Sequence, residues 1–452
     1  MIIIAYLSWL PASLLAFKFA PRHYAPWICV FGGWVLLPPA VYPIPQSSGF
    51  PFWIIGSSLP SDVLISKVWV APLATCVASL TFDVRRWRST PLNVWDVCIG
   101  LFCLWPLIQN AIVGHSSPAA WASSLYLAGA WALPWWLGRL YLRTKGDAQS
   151  FAVVFTAAML CLLPIAILEG ASDMRVHTLL IGEHPFTADG LHRYLGYRPQ
   201  ALFENGNQYG LWCAAATVAA FWLAQGKMLN FYIAGILAAM TVASQSVGAI
   251  GLMVFGSVAL HWTASFAILH RFGICLLLFA VAGASSLVAG LIPLREFVEQ
   301  SGTGHALLEA LRSTGRGSLA WRVSQDLKAA PLLREHLLIG YGQWNWFFPL
   351  NTRPWGFPLL VVGQFGLFGL ALLLLPLLRA VSNALRQAVL GSETARLAAV
   401  LVIIAGLDTV LNSFLLWPFI VLASIFAGRG VDLPIQWPEK ADTTNDYSRP
   451  SQ

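Results

Sequence analysis

The stretch FPLLVVGQFGLFGLALLLLPLL, residues 357 to 378, runs for 22 positions without one Asp, Glu, Lys or Arg and stops against Arg379. A helix needs about 20 predominantly apolar residues to cross a hydrocarbon layer, whereas a barrel strand is about half as long and alternates in polarity. This stretch is continuously apolar, so it predicts a membrane-spanning helix rather than a strand.

Comparable runs recur at 2 to 18, 25 to 43, 64 to 82, 94 to 113, 119 to 137, 150 to 168, 209 to 225, 229 to 243, 247 to 263, 272 to 293, 396 to 411 and 413 to 428, which makes thirteen in all. The composition agrees, with 57% hydrophobic and only 10% charged residues, against about 25% charged in an ordinary soluble domain. The expected fold is an all-α polytopic membrane protein of about 12 to 13 transmembrane helices, with two large extracytoplasmic loops, the second partly helical. One integral-membrane domain occupies residues 1 to 428. The tail from 429 to 452, ending PIQWPEKADTTNDYSRPSQ, is polar and aperiodic and is expected to be cytoplasmic and disordered.

Orientation follows from the short loops, because Lys and Arg concentrate on the cytoplasmic side. One alternate set of loops holds Lys18 and Arg22; Arg85, Arg86 and Arg88; Arg139, Arg143 and Lys145; Lys227; Arg271; and Arg379, Arg386 and Arg396. The intervening short loops, near 45 to 62, 114 to 118, 244 to 246 and 412, hold none. The first set is therefore placed inside, with the amino terminus outside. No basic residue precedes Lys18, which argues against a cleavable secretion signal. Topology accounts for thirteen of the 27 basic residues, so the net charge of +7 gives little support to a nucleic-acid partner.

The same map puts two long, charged stretches outside. Residues 169 to 208 and 294 to 356 hold 20 of the 47 Asp, Glu, Lys and Arg residues, ten of them basic. Arginine is not normally concentrated there, so recognition or chemistry is expected in these loops. The first reads EGASDMRVHTLLIGEHPFTADGLHRYLGYRPQALFENGNQYG from Glu169 to Gly210. It offers His184, His192 and an acid as conceivable metal ligands, but the spacing matches no compact ligand motif. In the second, apolar residues recur at helical spacing over Leu319 to Leu333. This predicts an amphipathic helix carrying Arg322 beside Trp321, ended by Pro331 and the Gly340-Tyr341-Gly342 turn.

Within the spans, Asp96 and Asp408 stand out as ionisable groups; one deep carboxylate is thin support for an ion-coupled carrier. The seven cysteines all fall in apolar runs at no metal or redox spacing and read as packing residues. Small-residue pairs such as Gly248/Gly251 and Gly366/Gly369 read as close helix contacts. Most of the 21 tryptophans, including Trp135/Trp136, Trp344/Trp346 and Trp355, fit interfacial anchoring.

Several fragments together resemble the O-antigen ligase and Wzy-type polysaccharide polymerase superfamily. They are LPWWLGR at 133 to 139, GYRP at 196 to 199 with ENGN at 204 to 207, and SQS at 244 to 246. Trp321-Arg322 followed by PLLREHLLIGYG at 331 to 342, and GQFGLFGL at 363 to 370, complete the series. The resemblance spans roughly residues 60 to 428. It implies a periplasmic-facing glycosyltransferase of the bacterial inner membrane that takes a glycan from undecaprenyl diphosphate and joins it to another saccharide. No nucleotide sugar, metal or other cofactor is implied. Implied partners are the lipid-linked donor, the saccharide acceptor, membrane lipid, and chain-length regulator or export proteins.

Arg198 and Arg322 match the family's outer-loop arginines, which the resemblance assigns to gripping the diphosphate and stabilising charge that grows on it. Guanidinium suits that role as a rigid, permanently charged fork of donors. Arg193, Arg316 and Arg353 are further substrate-binding candidates, with Asn207 and Trp321. The usual His-Asn before the final large-loop helix aligns with Trp355-Gly356 here, so no histidine stands at the expected place for a general base. Glu204, Glu335 and His336 are the substitutes considered, with Glu204 and His336 counted among the catalytic candidates. The departure favours a polymerase over an O-antigen or protein glycan ligase; a polysaccharide or lipid-linked oligosaccharide transporter is the alternative of another class.

Overall fold

In lipid each backbone N–H and C=O must be bonded within the protein, and continuous apolar runs meet that demand by closing into helices. The computed structural model describes residues 2–39, 66–113, 117–182, 184, 191–193, 195–224, 228–262, 266–269, 301–313, 317–343, 346–352, 354–410, 412 and 414–428. Every apolar run that falls among them is helical. The helices are Ile2–Phe19, Ala25–Leu36, Lys67–Phe82, Val94–Val113, the contiguous Ser117–Tyr141 with one π turn at Ala128–Ala132, Lys145–Leu160 with Leu163–Ser172, Gly206–Leu223, Met228–Ala243, Val247–His261, Phe357–Val389, Glu393–Thr409 and Trp417–Gly428. Three segments, Val94–Ile112, Lys145–Ser172 and Phe357–Val389, are long and apolar enough to cross a membrane by length and composition; the others are shorter apolar helices. The run at 272 to 293 and the tail lie outside the described residues.

The Gly206–Leu223 helix is buried on almost every side. It packs against Met228–Ala243, Val247–His261 and Lys145–Leu160. Around it the tryptophans build core. Trp34 stacks on Trp212 at 5.2 Å and meets Trp417 edge-on at 4.4 Å, and Trp212 Nε1 donates to Leu415 O at 2.8 Å. The expectation of interfacial anchoring therefore does not extend to every tryptophan. Trp27, Trp34, Trp135, Trp212 and Trp417 are fully buried inside the protein, because a large apolar ring fills a wide interhelical gap, and Trp135, Trp212 and Trp417 also find an acceptor for the indole N–H. For Trp135 that acceptor is Asp96, which also meets Arg139 at 3.3 Å.

The stretch 357 to 378 is two helices joined at Gly366, where φ is 70°. Only glycine adopts that conformation readily. The break frees backbone groups, and residues 337 to 342 of the second charged loop take them up. Tyr341 and Gly342 N–H donate to Gly363 and Gln364 O, while Leu367 and Phe368 N–H donate to Leu337 and Leu338 O. From the neighbouring helix Trp105 Nε1 donates to Phe365 O, and Gln109 Nε2 donates to Ile339 O and, as a second donor, to Gln364 O. The two small-residue pairs accordingly separate. A Cβ on Gly366 would run into Leu338 O and one on Gly369 into Phe365, whereas Gly248 and Gly251 have no neighbour within 4 Å of such a Cβ among the described residues.

Loop contacts sort into two groups. Arg143 bonds Arg86 O and Thr90, Arg86 bonds Leu140 O, Lys145 pairs with Glu393, and Trp222 donates to Glu393 O. These join the arginine-rich short loops. The other group joins residues 66–67, 169–202, 244–246, 322–356 and 408–412, where the candidate site lies.

Candidate functional site

The motif ENGN folds into a seat for one arginine. Asn205 caps the Gly206–Leu223 helix, its Oδ1 accepting the N–H groups of Asn207 and Gln208; Asn is among the best residues for this role. Gly206 then leaves the space Arg198 fills, since a Cβ there would strike Arg198 Nε, Cζ and Cδ. Asn207 Oδ1 accepts from Arg198 Nη2 at 2.6 Å, and Arg198 Nε donates to Ser244 O at 2.5 Å. Arg198 is 3% exposed.

The SQS turn holds the rest of this loop. Gln245, at φ 51°, accepts from Leu195 N–H through Oε1 and donates through Nε2 to Gly196 and Tyr197 O. Its own carbonyl accepts from Arg193 Nη1 at 3.2 Å. Between these contacts His192–Arg193 pairs antiparallel with Gly196–Tyr197. Glu169, buried, clamps the far side: its carboxylate accepts from Val176, Gln200 and Ala201 N–H at 2.8 to 3.0 Å.

The second loop supplies Arg322 from the helix Gly317–Ala329, followed by a 3-10 turn at Ala330–Arg334. This is the amphipathic helix expected over 319 to 333. Arg322 Nη1 donates to Asn412 Oδ1 at 2.5 Å, and its guanidinium lies 4.6 Å from the Trp355 ring centre. Asn412 Nδ2 donates in turn to Asp408 Oδ1 at 2.8 Å. Arg193 acts electrostatically on Arg322. Arg193 and Arg198 are thus linked through the SQS turn, and Arg193 repels Arg322.

Trp355, standing where the resemblance expects histidine, is therefore next to Arg322. Trp321 meets it edge-on at 6.0 Å and is 45% exposed. Asp326 ties the pair to the next helix, its carboxylate accepting the N–H groups of Trp355 and Gly356. Burial pushes the Asp326 carboxyl up to about 6, against the opposing pull of those two N–H groups and of Arg322.

The remaining candidates are placed elsewhere or not described. Glu204 is 3% exposed, and its Oε2 lacks a hydrogen-bond partner among the described residues. Burial raises its affinity for a proton, opposed by the Lys67 ammonium and Gln208. Lys67 is itself buried, donating to Leu202 O at 2.9 Å and lying over the Trp34 and Phe203 rings. His336 is exposed and packs on Tyr341 at 4.5 Å, while Glu335 accepts the Tyr341 hydroxyl. His184 packs on His177 and His192 on Tyr197. Arg316 and Arg353 lie outside the side chains described.

Sequence reasoning missed Glu169, Gln245, Asp326 and Lys67 as site components. Asp326 was legible: it stands four residues after Arg322 on one helical face. Lys67 was hidden at the edge of an apolar run, and Glu169 and Gln245 act through main-chain groups far away in sequence. No protein-family model matches the chain, and no curated protein matches it.

Proposed function

We propose that this chain is a multi-pass glycosyltransferase of the bacterial inner membrane, polymerising an oligosaccharide carried on undecaprenyl diphosphate. In this reading its 12 to 13 helices span the bilayer and its two charged loops face the periplasm. The observation that supports it is the seating of Arg193 and Arg198 side by side on the 244–246 turn, with Arg193 repelling Arg322 of the second charged stretch. Guanidinium groups gathered in this way suit a ligand with two adjacent anionic groups.

Arg198 and Arg322 would hold the diphosphate as the bond from its oxygen to the sugar breaks. Negative charge grows on that oxygen, and a charge already fixed in place stabilises the transition state more than the ground state. The exposed Trp321, set against Trp355, offers a flat apolar face of the kind sugar rings cover. The ligase reading differs only in the acceptor. Replacing Arg198 or Arg322 by Ala should abolish long glycan chains while the protein still inserts, as read by gels of membrane extracts and by protein level. Normal chain length in both variants would sink the assignment. Glycan found on an acceptor other than the lipid carrier would select a ligase.

A further inference from the structure

Asp326 follows Arg322 by one helical turn, which sets the two Cβ atoms about 5 to 6 Å apart on one helix face. Both side chains meet the same residue. The Arg322 guanidinium lies over the Trp355 ring, and the Asp326 carboxylate accepts the Trp355 N–H. Gly356 N–H donates to that carboxylate as well, at 3.1 Å to Oδ2. A carboxylate offers about four acceptor positions, so these bonds fix its direction and leave Oδ2 room for a further partner. Asp326 is only half-buried.

Other acids and histidines of the two charged stretches are committed elsewhere. Glu204 is buried and faces Lys67, while Glu335 and His336 are both taken up on Tyr341. Asp408 is buried with its carboxylate on Asn412. Burial lifts the Asp326 carboxyl to about 6, against the pull of the two N–H groups and of Arg322. Arg322 is the charged group that faces it from its own helix, the next helix presents main-chain N–H groups, and Asp408 and Arg193 act on Arg322. A base works best when its proton affinity lies near the working pH.

We propose that Asp326 is the general base of the transfer, taking the proton of the acceptor hydroxyl on Oδ2. This rests on the functional reading above. The hydroxyl oxygen bonds to the anomeric carbon of the donor sugar, and the bond from that carbon to the diphosphate oxygen breaks with its electron pair left on the diphosphate. The proton passes to Asp326 and then to water.

The test uses the purified full-length protein in detergent, with lipid-linked oligosaccharide extracted from cells deleted for this chain as donor and acceptor. The wild-type rate of chain growth should rise as pH passes through about 6 and then level. Unfolding through Asp326 cannot produce that limb, because its contribution to stability is greatest in acid. Asp326→Asn keeps an oxygen for the two N–H groups but takes no proton. It should lose about a hundredfold or more in rate, bind the extracted lipid within about twofold of wild type, and show no acid limb in the rate that remains. A rate within about twofold of wild type, or a residual rate that keeps the limb, would overturn the base and leave the function standing. A wild-type rate that is flat across this interval overturns it whether or not the variant accumulates. No chain growth by the wild-type protein would overturn the functional reading itself.

Discussion

Arg322 shows how much a single side chain is asked to do. It stacks on Trp355 and reaches Asn412 with one arm, a geometry that requires a planar, forked cation. Lysine keeps the charge but neither the plane nor the fork. Arg322→Lys should therefore lose about tenfold or more in long-chain glycan, measured against wild type at equal protein level. Asp326 sits one helical turn away and gives the loop a pH dependence. Its value of about 6 in the folded protein lies above the ordinary 3.8, so the folded state holds this proton more tightly. That contribution to stability is complete below about pH 4 and is lost as pH rises through about 6. The thermal midpoint of the detergent-solubilised protein should fall over this interval, and Asp326→Asn should flatten the fall. The arginine was legible from its place in a long, charged stretch between apolar runs. Its Trp355 shelf was not, since nothing in a linear chain shows that residues 322 and 355 share a face.

At the scale of the element, two glycines are decisive for different reasons. Gly206 is required for the room it leaves, because a Cβ would strike Arg198. Gly206→Ala should leave the helix intact, alanine being the better helix former, while displacing the arginine. The expected result is loss of long glycan comparable to Arg198→Ala with a near-normal thermal midpoint. Gly366 is required for both room and conformation: its φ is 70° and Leu338 O occupies the space of a side chain. Gly366→Ala should cost roughly 3 kcal/mol, seen as a lowered thermal midpoint and a loss of monodisperse protein in size-exclusion chromatography. The helix itself could be read directly from the apolar run 357 to 378. Its break could not, because a Gly inside an apolar run is equally compatible with an unbroken helix; the deciding partner is the strap at 337 to 342.

For the whole molecule, the loops that carry clustered arginines contact one another, and the loops free of short-range basic clusters contact one another and the long charged stretches. Helices threading alternately through a bilayer would group them in this way. Fusions of a periplasm-active reporter after residues 200 and 320 should be active, and a fusion after residue 143 should be silent. Activity only at 143 would invert the orientation and remove the functional reading with it. The shared core makes a second expectation. Trp212 is fully buried against Trp34, Phe155 and Phe203, so Trp212→Ala should cost about 3 to 5 kcal/mol and lower the thermal midpoint without moving the arginines.

The amino-acid sequence by itself determined the helical class, the positions of the described apolar helices and the two stretches where charge is concentrated. All of these follow from local composition, because a continuous apolar segment satisfies its own backbone by closing into a helix. Only the tertiary structure decided which charges meet. It placed Arg193 and Arg198 on the 244–246 turn, set Arg322 over Trp355, buried Glu204 beside Lys67, and left His336 on Tyr341. Those outcomes depend on contacts between segments tens to hundreds of residues apart, where the space left by a glycine or the direction of one amide settles what a side chain can reach.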